Sequence, residues 1–175
     1  DEDLIIVLAS ENFHSGVIGI VASRLVEKYF RPVVLVALEG GAGKGSARSI
    51  PKFHLHRAFT ECAGHLVQFG GHAYAAGLTI EEGKVDSFRD GLNEIGNRIL
   101  RKEDLIPELL IDSPLEISEI DRELYSQVSL MEPFGAENPS PVFLVRGVHI
   151  FGLRLIGSEK NHVRFQAVQN KARID

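Results

Sequence analysis

LIIVLASENFHSGVIGIVASRLVEKYFRPVVLVAL, residues Leu4–Leu38, is the stretch that decides the fold class. Leu4–Ala9 and Val33–Leu38 contain no polar residue, and the second run is rich in β-branched side chains. Short runs that are apolar on both faces read as buried strands. The segment between them, Gly16–Phe30, reads as a helix. Ser15 offers an N-cap, Pro32 blocks continuation, and Val17, Val21, Leu25 and Tyr29 recur every four residues as the expected buried stripe. Strand, helix, strand with both strands apolar throughout predicts a parallel βαβ unit and a mixed α/β fold.

Downstream of this unit, Gly40-Gly41-Ala42-Gly43 is expected to turn the chain and Lys44–Ile50 to return as a strand. Leu55, Phe59 and Cys62/Ala63 mark a short helix, with His54 and His56 near its start. Gly70-Gly71 reads as a tight loop and Ala75–Ile80 as a strand. Val85, Phe88, Leu92, Ile95 and Ile99 step by 3, 4, 3, 4, the mark of an amphipathic helix. Gly91 and Gly96 each cost that helix about 1 kcal/mol, so it depends on packing. Pro107 opens a change in character. Ser118-Glu119-Ile120-Asp121 resembles a capping box before a helix ending near Met131. Pro133, Pro139 and Pro141 then make an extended linker, and Pro141–Phe151 and Asn161–Val168 read as strands joined by a turn at Ser158–Asn161. The expected division is 1–106 as one α/β domain, 107–141 as helix and linker, and 142–175 as two or three strands of a further β domain.

Hydrophobic residues make up 44% and charged residues 25% of the 175 positions, the composition of a soluble globular protein. No signal peptide or membrane-spanning run is visible, and the Asp-Glu-Asp start suggests that the natural beginning lies elsewhere. The single Cys62 excludes an internal disulfide and a cysteine-cluster metal site, and fits a cytoplasmic location. The net charge of -5 is unevenly spread. From Gly40 to Ile80 the only acid is Glu61, against Lys44, Arg48, Lys52 and Arg57. Glu81–Ser140 holds fifteen acids and six bases; Pro141 onward holds six bases and two acids. Two basic segments around an acidic middle suggest a footprint for an anionic ligand; a solvated surface of uneven charge is the plainer alternative.

Three segments carry candidate chemistry. In Gly43-Lys44-Gly45-Ser46-Ala47-Arg48-Ser49, glycines permit close backbone approach while Lys44, Ser46 and Arg48 can donate to anions. The Walker order is absent, and a plain turn into an exposed strand competes equally. In Phe69-Gly70-Gly71-His72-Ala73-Tyr74-Ala75-Ala76-Gly77, small residues flank His72, which could meet a phosphate or a metal; a turn residue is the commoner role. His14-Ser15-Gly16-Val17-Ile18-Gly19 opens the first predicted helix, where free N–H groups favour anions. There Gly19 reads as a packing glycine.

Four segments, HSGVIGIVASRL (14–25), GSARSIPKFHLH (45–56), FGGHAYAAGL (69–78) and LMEPFGAENPSPVF (130–143), resemble in order and spacing the signatures of the RecJ family of single-stranded-DNA 5′–3′ exonucleases, within the DHH phosphoesterase superfamily. The resemblance implies a DHH-associated substrate-binding domain followed by the start of an oligonucleotide-binding barrel. It implies phosphodiester hydrolysis by two metals, Mn2+ or Mg2+, in an upstream domain bearing an Asp-His-His motif. No such triplet occurs in this chain, which is therefore expected to hold no metal and to be inactive alone. Carried over by motif position, Ser46 and Arg48 would hold a 5′-terminal phosphate, and Gly70, Gly71 and His72 would meet the substrate near the metals, His72 assisting catalysis. Lys44 and His14 join the expected substrate contacts. Phe13, Phe53, Tyr74 and Phe134 are the candidates for base stacking. Lys52 and Phe13 depart from the family pattern, which commonly has Gly and Trp there; neither change touches a donor. Expected partners are single-stranded DNA with a 5′ phosphate and a single-strand-binding protein, with no membrane and a monomeric state, in DNA repair and recombination. Alternatives are an oligonucleotide or dinucleotide phosphatase of the same superfamily, or a scaffold relative that binds nucleic acid without catalysis.

Overall fold

A computed structural model describes residues 3–175 and divides the chain into two compact units, Asp1–Pro107 and Glu108–Asp175. The first unit is built on a five-stranded sheet. Its strands are β1 (Ile6–Ser10), β2 (Val33–Glu39), β3 (Ala42–Arg48), β4 (Leu66–Gly71) and β5 (Ala75–Glu81), in the order β1-β2-β3-β5-β4. β1 and β2 are parallel, joined through α1 (Ile18–Tyr29), so the expected βαβ unit is present. All later pairings are antiparallel. The β2–β3 hairpin turns on Gly40 and Gly41, with φ of 60° and 80°, the sign of backbone twist a two-residue hairpin demands.

β2 is the most buried strand of the sheet. Val33, Val34, Leu35 and Val36 are all buried. One face of the sheet packs against α2 (Leu55–Glu61) and α3 (Val85–Ile99), where Val34, Val36, Ala47, Leu78 and Ile80 meet Leu55, Phe59, Phe88 and Leu92. The other face packs against α1, where Ile18 and Ala22 meet Val33, Leu35 and Ala37. As expected from its stripe, α3 buries Val85, Phe88, Leu92 and Ile95; Ile99, at the end, is exposed. His54 caps α2: its Nδ1 accepts from the Arg57 N–H at 3.4 Å.

Several expectations are corrected. α1 buries Ile18 and Ala22, with Leu25 and Val26 partly buried, whereas Val17, Val21 and Tyr29 are exposed. The helix is apolar nearly all round at its start, so periodicity could not choose the face. Ser15 is not the cap; the N-cap position is Val17, without a side-chain bond. Gly70-Gly71 is not a loop but the end of β4, a strand the reading missed. Gly71 has φ 139°, and a β-carbon there would sit 2.4 Å from the Ala75 carbonyl oxygen, so only glycine fits.

In the second unit, β6 (Ser113–Pro114) pairs with β7 (Phe143–Leu144), and β8 (His149–Ile156), β9 (His162–Gln169) and β10 (Ala172–Ile174) form an antiparallel sheet. The expected strand 141–151 is interrupted at Gly147, whose φ is 66°, and resumes as β8. α4 (Arg122–Ser129) is capped by Asp121, whose Oδ1 accepts from Leu124 N–H at 2.8 Å. The capping box lies earlier than expected, between Glu116 and Glu119 around a 3-10 turn. Ile117 is the one buried hydrophobic residue among the described residues of this unit.

Candidate nucleic-acid interface

Side chains of a strand alternate between faces, and β3 divides its residues by that rule. Gly43 and Ala47 are buried towards α2 and α3; Lys44, Ser46 and Arg48 point to the α1 side. β5 and β4 extend the same face. Opposite Ser46 lies Gly77, and opposite Gly77 lies Gly70, forming one row across three strands. On one side is the row Lys44, Thr79, Gln68, tied by a bond from Gln68 Nε2 to Thr79 Oγ1 at 3.3 Å. On the other, Arg48 lies opposite Ala75. α1 covers β2 but leaves Gly70 and Gly77 exposed, and neither has another side chain near its Cα. The result is a floor of bare backbone with a hollow of about 480 Å³ over it, lined by Lys44, Gln68, Gly70, Gly77 and Thr79.

Arg48 is the half-buried cation at the edge of this floor. Its Nη1 donates to the Ala47 carbonyl at 2.8 Å and to Ser46 Oγ at 3.2 Å. Since Ser46 accepts there, its own hydroxyl proton remains available. Among the described residues no carboxylate pairs with Arg48 or Lys44, although Arg24, Arg89, Arg98 and Arg164 each have one. Glu39, a possible structural partner of Arg48, sits at the far end of the sheet, opposite Ala42, while Arg48 is opposite Val33. A guanidinium held by two local acceptors and left without a counter-charge can still offer Nη2 and Nε to an anion.

The remaining expected residues are spread around this pair. His72 is exposed in the β4–β5 turn, its N–H bonded to the Ala75 carbonyl at 2.8 Å. The turn is fixed to the end of β3 and the start of α2 by bonds from Ser49 N–H to Tyr74 O and Leu55 N–H to Ala73 O. His72 thus stands at the Arg48 end of the sheet. His14 lies in the loop before α1, where its Nδ1 accepts from Gly16 N–H at 3.1 Å. It borders, with Lys44, a second hollow of about 470 Å³ that Glu11 and Glu39 also line, a poor environment for a phosphate. Of the stacking candidates, Phe53 is excluded: it is 1% exposed, in the core. Phe13 is partly buried beneath α1 and Phe134 half-buried in the second unit, whereas Tyr74 is 57% exposed. Gly19, expected only as a packing glycine, has its Cα facing Ser46 and Arg48. A glycine in the first turn of an otherwise apolar helix was the available signal.

Comparison with known proteins follows the same division of the chain. The sequence model of the DHHA1 domain matches residues 2–97, and that of the RecJ OB domain matches residues 111–175. This chain belongs to the RecJ family. It is 38% identical over 172 residues to the single-stranded-DNA-specific exonuclease RecJ of Bacillus subtilis, covering 97% of this chain and 22% of that protein. Two crystal structures of RecJ from Thermus thermophilus superpose on it. The complex with Mg2+ gives a TM-score of 0.80 at 30% identity, covering 98% of this chain and 26% of that one; the complex with Mn2+ gives 0.81 at 29%, covering 98% and 25%. The chain therefore spans about a quarter of the length of these relatives. The fold class is settled as mixed α/β, a DHHA1 domain followed by OB-domain sequence. Among the described residues no group of three or more His, Cys, Asp or Glu is placed to hold a metal ion.

Proposed function

We propose that this chain is the substrate-gripping part of a single-stranded-DNA-specific 5′–3′ exonuclease, and that Ser46 and Arg48 hold the 5′-terminal phosphate. The observation that carries the reading is Arg48: half-buried, bonded to Ser46, without a carboxylate partner among the described residues, and beside a glycine floor a nucleic-acid backbone can approach. Arg48 offers a planar fork to two phosphate oxygens and Ser46 a hydroxyl to a third. Lys44 adds charge farther along the strand's path, and Tyr74 offers a ring on which a base can stack. His72 and the Gly70-Gly71 backbone meet the substrate at the Arg48 end. Hydrolysis belongs to a two-metal site whose ligands these residues do not provide, so the 175-residue chain alone leaves DNA intact. In this role the whole protein works in the cytoplasm, in DNA repair and recombination, as a monomer on strands presented by single-strand-binding protein.

Binding of a fluorescent oligothymidylate to the 175-residue chain tests this. If about three phosphates are neutralised, the log–log salt slope is about -2, from roughly -0.7 per phosphate on single strands. Hydrogen bonds to charged groups contribute about 1.5–3 kcal/mol, so Arg48→Ala weakens binding of a 5′-phosphorylated strand by about tenfold or more and abolishes its advantage over a 5′-hydroxyl strand. Equal loss on both strands would reassign Arg48 to general backbone binding, and salt-independent binding would remove the cationic face from the contact.

A further inference from the structure

Ser46 and Arg48 share one more neighbour. Gly19 is the second residue of α1. A β-carbon built on it would lie 3.2 Å from Ser46 Oγ, 3.2 Å from Arg48 Nη2 and 3.9 Å from Arg48 Cζ. These are the three nearest heavy atoms, and all belong to the two donor side chains. The helix meets the apolar sheet elsewhere, through Ile18 and Ala22 against Val33, Leu35 and Ala37. The close approach that Gly19 permits is therefore to the donors and not to the buried residues of the core. Glycine is among the poorest helix formers, so this helix accepts a propensity cost at a position that faces them.

We propose that Gly19 is a positioning and specificity-determining residue for a terminal phosphate monoester. Its bare Cα leaves Ser46 Oγ and Arg48 Nη2 uncovered, so both can donate to the same tetrahedral group. Arg48 has little freedom to yield to a methyl group, because Nη1 is already held by the Ala47 carbonyl and by Ser46. A side chain at position 19 would cover Nη2 or turn the guanidinium away. A terminal phosphate bears more charge and more free oxygens than an internal diester, so it loses most when a donor is covered. The inference rests on the reading of Ser46 and Arg48 as the binders of the strand's end.

The test compares the 175-residue chain with its Gly19→Ala, Ile20→Ala and Arg48→Ala variants. Each is titrated against an oligothymidylate carrying a 3′ fluorophore and either a 5′ phosphate or a 5′ hydroxyl, and each is melted by circular dichroism. Gly19→Ala is expected to weaken binding of the phosphorylated strand about tenfold, to change binding of the hydroxyl strand less than about threefold, and to melt at the same or a higher temperature, since alanine favours the helix. Ile20→Ala, one residue along on the exposed side, is expected to bind both strands as the parent does. A Gly19→Ala variant that keeps the phosphate preference while Arg48→Ala loses it would overturn the role of Gly19 and leave the reading of Arg48 intact. A marked drop in melting temperature for Gly19→Ala would also overturn it, by showing that the glycine serves helix packing. If neither the parent nor Arg48→Ala distinguishes the two strands, the end-binding reading itself fails.

Discussion

Cys62 and Arg48 carry opposite residue-scale messages. Arg48 is visible as a candidate because a glycine-rich segment gathers Lys44, Ser46 and Arg48 as donors to an anion, and the family resemblance then singles out the Ser-x-Arg pair. Cys62 was visible only as a lone cysteine, and the structure makes it a core residue. Burial pushes its thiol up to about 11, and Glu61 and Glu94 add to the shift. A thiol raised in this way is a poor nucleophile. The native chain should leave Cys62 unmodified by a thiol reagent at about pH 8, near the ordinary range of a free thiol, and unfolding in denaturant should release it. A fast native reaction would show that the helix pair opens around it. The same shift fixes a sign for stability. Above the unfolded thiol's pKa the unfolded chain has lost a proton that the folded chain keeps, so stability falls with rising pH through the window from about 9 to about 11. Over that window the parent should lose melting temperature faster than Cys62→Ala; parallel curves would contradict the assignment.

At the scale of elements, α3 and α1 show when periodicity suffices. α3 has polar residues on its outer face, so its 3,4 spacing identified Val85, Phe88, Leu92 and Ile95 as core. α1 begins with apolar residues on every side, and the choice fell to the sheet, which takes Ile18 and Ala22 and leaves Ile20 67% exposed. β4 escaped notice because LVQFGG ends in two glycines, a loop signal by composition; its place is secured by pairing with β5 and by Phe69 against Phe59. Phe59 joins α2 to both neighbours, edge to face with Phe69 at 6.1 Å and with Phe88 at 5.6 Å between ring centroids. Phe59→Ala should cost about 3–5 kcal/mol, the range for emptying a buried aromatic site. Chemical denaturation measures this directly, and a loss below about 1 kcal/mol would mean that the α2–β4–α3 junction carries no core.

Across the whole molecule the two units differ in how much they bury. The first holds nearly all of the buried hydrophobic residues, whereas in the second the strands β8 and β9 leave Ile150, Phe151, Leu153, Leu155, Val163 and Phe165 exposed. Stability follows burial. Hydrogen exchange should accordingly be slowest at β2 and β3 and markedly faster throughout β8–β10, and limited proteolysis should cut first near the unit boundary, around the exposed Ile106–Ile111. Protection in β8–β10 equal to that in β2 would show that the second unit is stabilised by more than its own buried side chains. The sequence by itself determined the opening βαβ unit, the glycine turn after β2 and the core face of α3. Each depends on periodicity or on turn chemistry confined to a few neighbouring residues. Only the tertiary structure decided the order β1-β2-β3-β5-β4, the buried face of α1, the glycine row through Gly77 and Gly70, and the place of Gly19 over the two donors. Gly19 meets Ser46 from 27 positions away, and Ser46 pairs with Gly77 31 positions on. No local pattern encodes such distances; packing of the helix and sheet sets them.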